Sequence, residues 1–215
     1  MKHILFALAL VAFLTGSGPA AQAQGAAQQP QAGMEAAAPS IRAAEAYLQS
    51  LRTAKARFLL TAADGTQQIG TFYLNRPGRL RFEYDPPAKD FIVADGLLIY
   101  FYDSQLGEQS NAPIGQTLAD FLLRSDIRLG GDVTIERVMR GGGLLQITLI
   151  QTSDPGAGSM TLGFTENPMQ LKKWRVVDAQ GQTVEVELFQ LQTGVKLDPD
   201  LFVYHDPKGR KTFNQ

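Results

Sequence analysis

An α+β, mainly β fold, a curled antiparallel sheet covered by helices, is what this 215-residue chain predicts. From Lys55 onward, short apolar runs follow one another at strand spacing, broken by turn residues. Asp64-Gly65 and Asp95-Gly96 sit between such runs and signal tight hairpins. Only two segments carry a helical period, one ahead of the strands and one midway. About ten strands in hairpin order make a sheet long enough to curl, and its concave face then needs a helical cover.

The first residues, 1–23, read as a signal peptide. Lys2 and His3 open it, Ile4 to Leu14 are apolar, and Ala21-Gln22-Ala23 offers a small-x-small cleavage site. That apolar stretch is shorter than the roughly 20 residues a membrane span needs. The chain has no cysteine, so an exported form must be stabilised by its core, and no cysteine follows the signal to carry lipid. Residues 24–38, rich in Ala, Gln, Gly and Pro, read as a disordered leader, which leaves 39–215 as one domain. The 20 basic residues less Lys2 stand at 19 against 21 acidic ones, a balance that excludes an electrostatic footprint for nucleic acid.

Ser40 to Arg52 reads as an amphipathic helix, with Ile41, Ala44, Leu48 and Leu51 on one face, Ser40 as cap and Pro39 ahead of it. Strands are expected at 56–63, 67–75, 79–84, 90–94 and 97–102. In the third of these Leu80, Phe82 and Tyr84 alternate with Arg79, Arg81 and Glu83, giving one apolar and one charged face. Residues 111–116 read as loop. Thr117 to Arg124 reads as a short helix capped by Thr117, with Leu118, Phe121 and Leu122 on one face. Five more strands follow between Val133 and Leu191, and Leu197 to Tyr204 forms a last apolar piece.

Chemistry is scarce. His205, the one histidine outside the leading segment, lies in the tail, and no G-x-S-x-G elbow accompanies it. One histidine without thiolates offers no transition-metal site, and Gly141-Gly142-Gly143 lacks the Lys-Ser/Thr of a phosphate loop. Glu83 and Asp85 share a face with Arg79 and Arg81, which reads as a solvated mixed-charge surface. No catalytic residue, metal or cofactor is expected. Counting by twos through Phe72 and Leu74 places Arg76 on the cavity face, unless the strand has ended by Pro77 and Arg76 points to solvent. On the first alternative Arg76 holds backbone carbonyls of the covering helix, because a buried guanidinium needs acceptors.

Asn75-Arg76-Pro77-Gly78, the Leu80/Phe82/Tyr84 strand, Ile92-Val93-Ala94-Asp95-Gly96 and Ile99-Tyr100-Phe101-Tyr102-Asp103 together resemble the LolA family of periplasmic lipoprotein carriers. The resemblance covers roughly residues 40–190. It implies a half-open β-barrel with a helical lid over a hydrophobic cavity that holds acyl chains. Arg76 falls where the family's lid-securing arginine lies, and Leu80 and Phe82 fall in an aromatic lining where many relatives carry larger rings. The cavity set so read is Phe72, Leu74, Leu80, Phe82, Tyr84, Ile92, Leu118, Phe121 and Leu122. The implied partners are acylated lipoproteins, an inner-membrane lipoprotein-releasing ABC transporter complex and an outer-membrane receptor, with the carrier a periplasmic monomer. A periplasmic lipid- or lipoprotein-binding sensor of the same fold, and an enzyme acting on lipid, are the alternatives.

Overall fold

The computed structural model describes residues 29–116 and 119–209. The expected signal peptide and residues 24–28 lie outside the described residues, as do Thr117 and Leu118.

Helix α1 spans Gln29–Ser50, so the expected disorder over residues 29–38 is corrected to helix. Ala, Gln, Met and Glu are strong helix formers, and Ala37 is a buried anchor in this half. Pro39 lies inside the helix, and Ser40 is not its cap. The Ser40 hydroxyl instead donates to Glu166 Oε1 at 2.8 Å and accepts from Arg140 Nη2 at 2.8 Å.

Eleven strands form one antiparallel sheet in the order β6-β5-β4-β3-β2-β1-β11-β10-β9-β8-β7. The first meander holds β1 (Thr53–Thr61), β2 (Gln67–Asn75), β3 (Arg79–Tyr84), β4 (Phe91–Asp95), β5 (Leu98–Asp103) and β6 (Glu108–Pro113). The second holds β7 (Val133–Gly141), β8 (Leu144–Gln151), β9 (Gly158–Glu166), β10 (Met169–Asp178) and β11 (Thr183–Thr193). Pairing of β1 with β11 fuses them, and β6 and β7 are left as the two edges. Strand β6 replaces the loop expected from residue 111. Its sequence, EQSNAP, is polar and mostly exposed, so it carries no apolar period and is held through backbone pairing to β5. Register shifts on β1, β7 and β10 mark bulges, each of which bends its strand and helps the sheet curl.

The two edges are connected by residues 114–132, which carry α2 (Ala119–Leu123). Two bonds dock this segment on α1, Gln49 Nε2 to Ile127 O at 3.1 Å and Leu129 N to Glu45 Oε2 at 2.7 Å, and a third comes from just beyond the helix, Arg52 Nη1 to Ser125 O at 3.0 Å. Gly78 N donates to Leu123 O at 2.8 Å, tying α2 to the β2–β3 turn. Only glycine suits position 78: its φ is +77°, and a Cβ there would lie 2.8 Å from Gly96 Cα.

The convex side of β3–β5 is not the solvated surface expected. Phe91, Val93, Tyr100 and Tyr102 form a second apolar cluster there, packed by Leu98 and Tyr204. The Tyr204 ring stacks on Tyr100 with centroids 4.7 Å apart, and the Arg81 guanidinium lies 5.0 Å over Phe91. Arg81 also donates to Leu201 O at 3.4 Å. The tail is therefore a strap across the outside of the sheet.

Candidate functional site

Period-two alternation sends every second residue of the central strands to the concave side. Ala54, Ala56, Phe58 and Leu60 of β1 face inward with Phe72 and Leu74 of β2 and with Leu80, Phe82 and Tyr84 of β3, all buried. Register places Leu74 opposite Leu80, Phe72 opposite Phe82 and Phe82 opposite Ile92. Ile92 is half-buried and packs on the same core.

The aromatic rings interlock. Phe82 meets Phe58 edge-on at 5.0 Å, Phe72 at 4.8 Å and Trp174 of β10 at 6.2 Å, while Tyr84 meets Phe58 at 5.3 Å. Gly70 makes room for Phe58, since a Cβ there would fall 2.7 Å from the ring and 2.1 Å from Glu83 O. These contacts make an aromatic floor. Over it lies the buried face of α1, with Ala44 and Leu48, continued by Leu51 just after the helix, and Phe121 of α2 enters the same core.

Leu118, expected beside Phe121, lies outside the described residues. Leu122 is only half-buried; the fully buried leucine of α2 is Leu123. The short helix turns its next residue inward because Leu123 O is anchored at Gly78. Strand reading also passed over Phe58 and Trp174. Phe58 could have been found from the alternation Ala54, Ala56, Phe58, Leu60. Trp174 could not, because the β9–β10 register that aims it at Phe72 contains a bulge after Leu171.

Arg76 follows directly on β2 and is 5% exposed. Its Nη2 donates to the carbonyls of Leu48 and Leu51, at the C-terminal end of α1. These are among the last carbonyls of a helix, which have no partner within it and sit at the negative end of its dipole. The alternative of a solvent-directed Arg76 is thereby corrected. Burial, with repulsion from Arg52, pulls its pKa down to about 10, so it is cationic at neutral pH. No ion pair among the described residues involves it.

A cavity of about 230 Å³ opens between α2 and the ends of β7–β9, lined by Phe121, Val133, Leu149 and Met160. Arg124 lines it too, bridging Asp120 on α2 and Asp132 before β7. Elsewhere, Asp85 pairs with Arg57 and Glu83 with Arg81. The exposed His205 ring nitrogen Nε2 lies 3.1 Å from Asp200 Oδ1.

Sheet, roof and interior together make a half-open barrel closed by helices over an apolar interior. Residues 49–205 match the model of the family described as outer membrane lipoprotein carrier protein LolA, and the chain belongs to that family. It is 30% identical over 177 residues to an outer-membrane lipoprotein carrier protein of Methylococcus capsulatus, covering 79% of this chain and 85% of that one. It is 28% identical over 186 residues to one of Methylibium petroleiphilum, covering 83% and 91%. Among solved structures, a LolA superfamily protein from Nitrosomonas europaea is similar with a TM-score of 0.40 and 9% identity, covering 76% of this chain and 97% of that one.

Proposed function

We propose that this protein is a periplasmic chaperone and shuttle that takes the acyl chains of lipoproteins under α1 and α2 and carries them from the inner to the outer membrane. Export through the leading segment places it in the periplasm. A lipoprotein-releasing ABC transporter complex loads it, and an outer-membrane receptor unloads it. It acts as a monomer and without catalysis or cofactor. The observation that carries this reading is a buried aromatic floor roofed by a helix that one arginine fastens at its end.

Energetics favour a carrier whose grip is moderated. Burying a chain contributes about 0.8 kcal/mol per CH₂, so a sixteen-carbon chain is worth about 13 kcal/mol gross. Ligand pockets commonly hold about 300–1,000 Å³, more than the 230 Å³ beside α2. Filling more than that volume moves the helices, so that Leu48, Leu51, Phe121 and Leu123, all buried here, are exposed or repacked as cargo enters. That cost, with the Arg76 latch, subtracts from the gross gain and lets cargo leave.

Trp174 is the only tryptophan of the chain and lies on the floor, so it reports occupancy. Synthetic lipopeptides with brominated acyl chains are expected to quench its fluorescence, and absence of quenching would overturn the carrier reading. Arg76→Leu is expected to weaken closure and slow transfer of bound lipopeptide to acceptor vesicles by roughly tenfold, on the scale of one charged hydrogen bond. Equal transfer rates in two folded proteins would remove Arg76 as a latch.

A further inference from the structure

The latch occupies one nitrogen of a guanidinium that has three. Nη2 of Arg76 serves both Leu48 O and Leu51 O, whereas Nε and Nη1 are buried and have no hydrogen-bond partner among the described residues. Such orphaned donors are uncommon in a native core, because each carries the cost of its desolvation. On the same last turn of α1 stands Tyr47, whose carbonyl accepts from Leu51 N at 3.1 Å. Its hydroxyl is also buried, beside the Leu171 backbone, which stabilises the oxygen and leaves the proton unused, and its ring stands edge-on to Phe164 of the core, centroids 6.2 Å apart. The two groups are close enough for each to shift the other's titration, and burial above all keeps the proton on Tyr47. A cation with two spare nitrogens and a phenol with a spare proton thus share one corner of an apolar interior.

Hydrocarbon alone offers these donors nothing. An acyl chain brings one acceptor, the carbonyl oxygen where it joins its ester or amide. We propose that Arg76 Nε and Nη1, together with the Tyr47 hydroxyl, form a binding site for the acyl carbonyl oxygen of the cargo. This rests on the carrier reading and adds to it a recognition element for the linkage. The placement suits it. Arg76 follows directly on β2, and inward positions before it are Leu74 and Phe72, so a chain rooted at Arg76 runs onto the aromatic floor toward Phe82 and Trp174. Latch and linkage site use different nitrogens of one residue, so cargo can be held by its carbonyl while Nη2 still fastens the helix.

The test compares two synthetic lipopeptides with identical peptide and carbon count, one carrying two hexadecanoyl esters on its glyceryl group and the other two hexadecyl ethers. The full chain is expected to bind the diester roughly tenfold or more tightly, the value of a hydrogen bond from a charged donor. Tyr47→Phe is expected to reduce that ratio several-fold and Arg76→Leu to bring it near one. Loss of the latch alone changes both affinities together and leaves the ratio unmoved, so the two roles of Arg76 separate. A ratio near one in the unaltered protein overturns the linkage site and leaves the carrier reading standing, whereas uptake of neither probe overturns both. A second measurement needs no variant. With ¹³C-labelled ester carbonyls, the bound stretching band is expected at lower wavenumber than in detergent, and an unshifted band overturns the proposal.

Discussion

The two faces of β3–β5 are both apolar and both covered, but by different means. On the concave side the cover is a helix, fastened at its end by a buried cation that, among the described residues, has no carboxylate partner and two nitrogens to spare. On the convex side the cover is the chain's own tail, stacked ring on ring through Tyr204 and Tyr100. There the arginine, Arg81, lies against the Phe91 ring and has Glu83 at 3.6 Å. The convex cover gives its arginine a ring, the Leu201 carbonyl and a nearby counter-charge, although Arg81 Nε is itself buried without a hydrogen-bond partner among the described residues. The concave cover leaves polar groups short of partners above a floor of rings. The two covers thus differ in what holds them, stacked rings and a counter-charge outside, helix-end carbonyls inside.

Breaking that contrast calls first for the floor. Phe58→Ala, which removes a ring in contact with Phe82 and Tyr84, is expected to cost about 3–5 kcal/mol in urea unfolding and to alter quenching of Trp174 by brominated lipopeptides. A loss below about 1 kcal/mol would mean the floor is not packed as described. Gly70→Ala attacks the same place from the opposite direction by overfilling it, and about 1–3 kcal/mol is expected from the same titration.

Tyr204→Ala is the convex counterpart. It is expected to cost about 1–2 kcal/mol, a half-buried ring and its stacking, while leaving lipopeptide quenching unchanged. Reduced quenching in that variant would join the two faces into one functional unit. The smallest effect is expected from acidification. Arg140 and Ser40 hold the Glu166 carboxyl below its usual 4.5, so its contribution is complete above that value and fades as pH falls through the lower folded value. Amide protection factors in α1 are expected to fall below pH 4.5, and Glu166→Gln to flatten that dependence.

Strand positions were legible because each central strand buries one face and so alternates cleanly, as Leu80, Phe82 and Tyr84 do. Strand β6 was not, because an edge strand polar on both sides carries no period. The start of α1 was hidden by a composition that serves a disordered leader as well as a helix. Arg76 could be placed on the cavity face by counting, but its partners are 25 and 28 residues away in sequence. The convex cluster was missed because Phe91 and Val93 on one strand, Tyr100 and Tyr102 on the next and Tyr204 on the tail acquire meaning only together.

What the amino-acid order settled by itself was local: hairpins at Asp-Gly, the inward aromatic positions, the lack of disulfides and the family signature around Asn75-Arg76-Pro77-Gly78. Only the tertiary structure decided which groups meet: that β1 pairs with β11 to fuse two meanders, that the tail roofs the outer face, and that Arg76 closes the end of α1 with donors left over. The division has a physical cause. Periodicity records which way a side chain points, whereas the partner it finds there depends on strand register and helix docking, which are fixed by packing over the whole molecule.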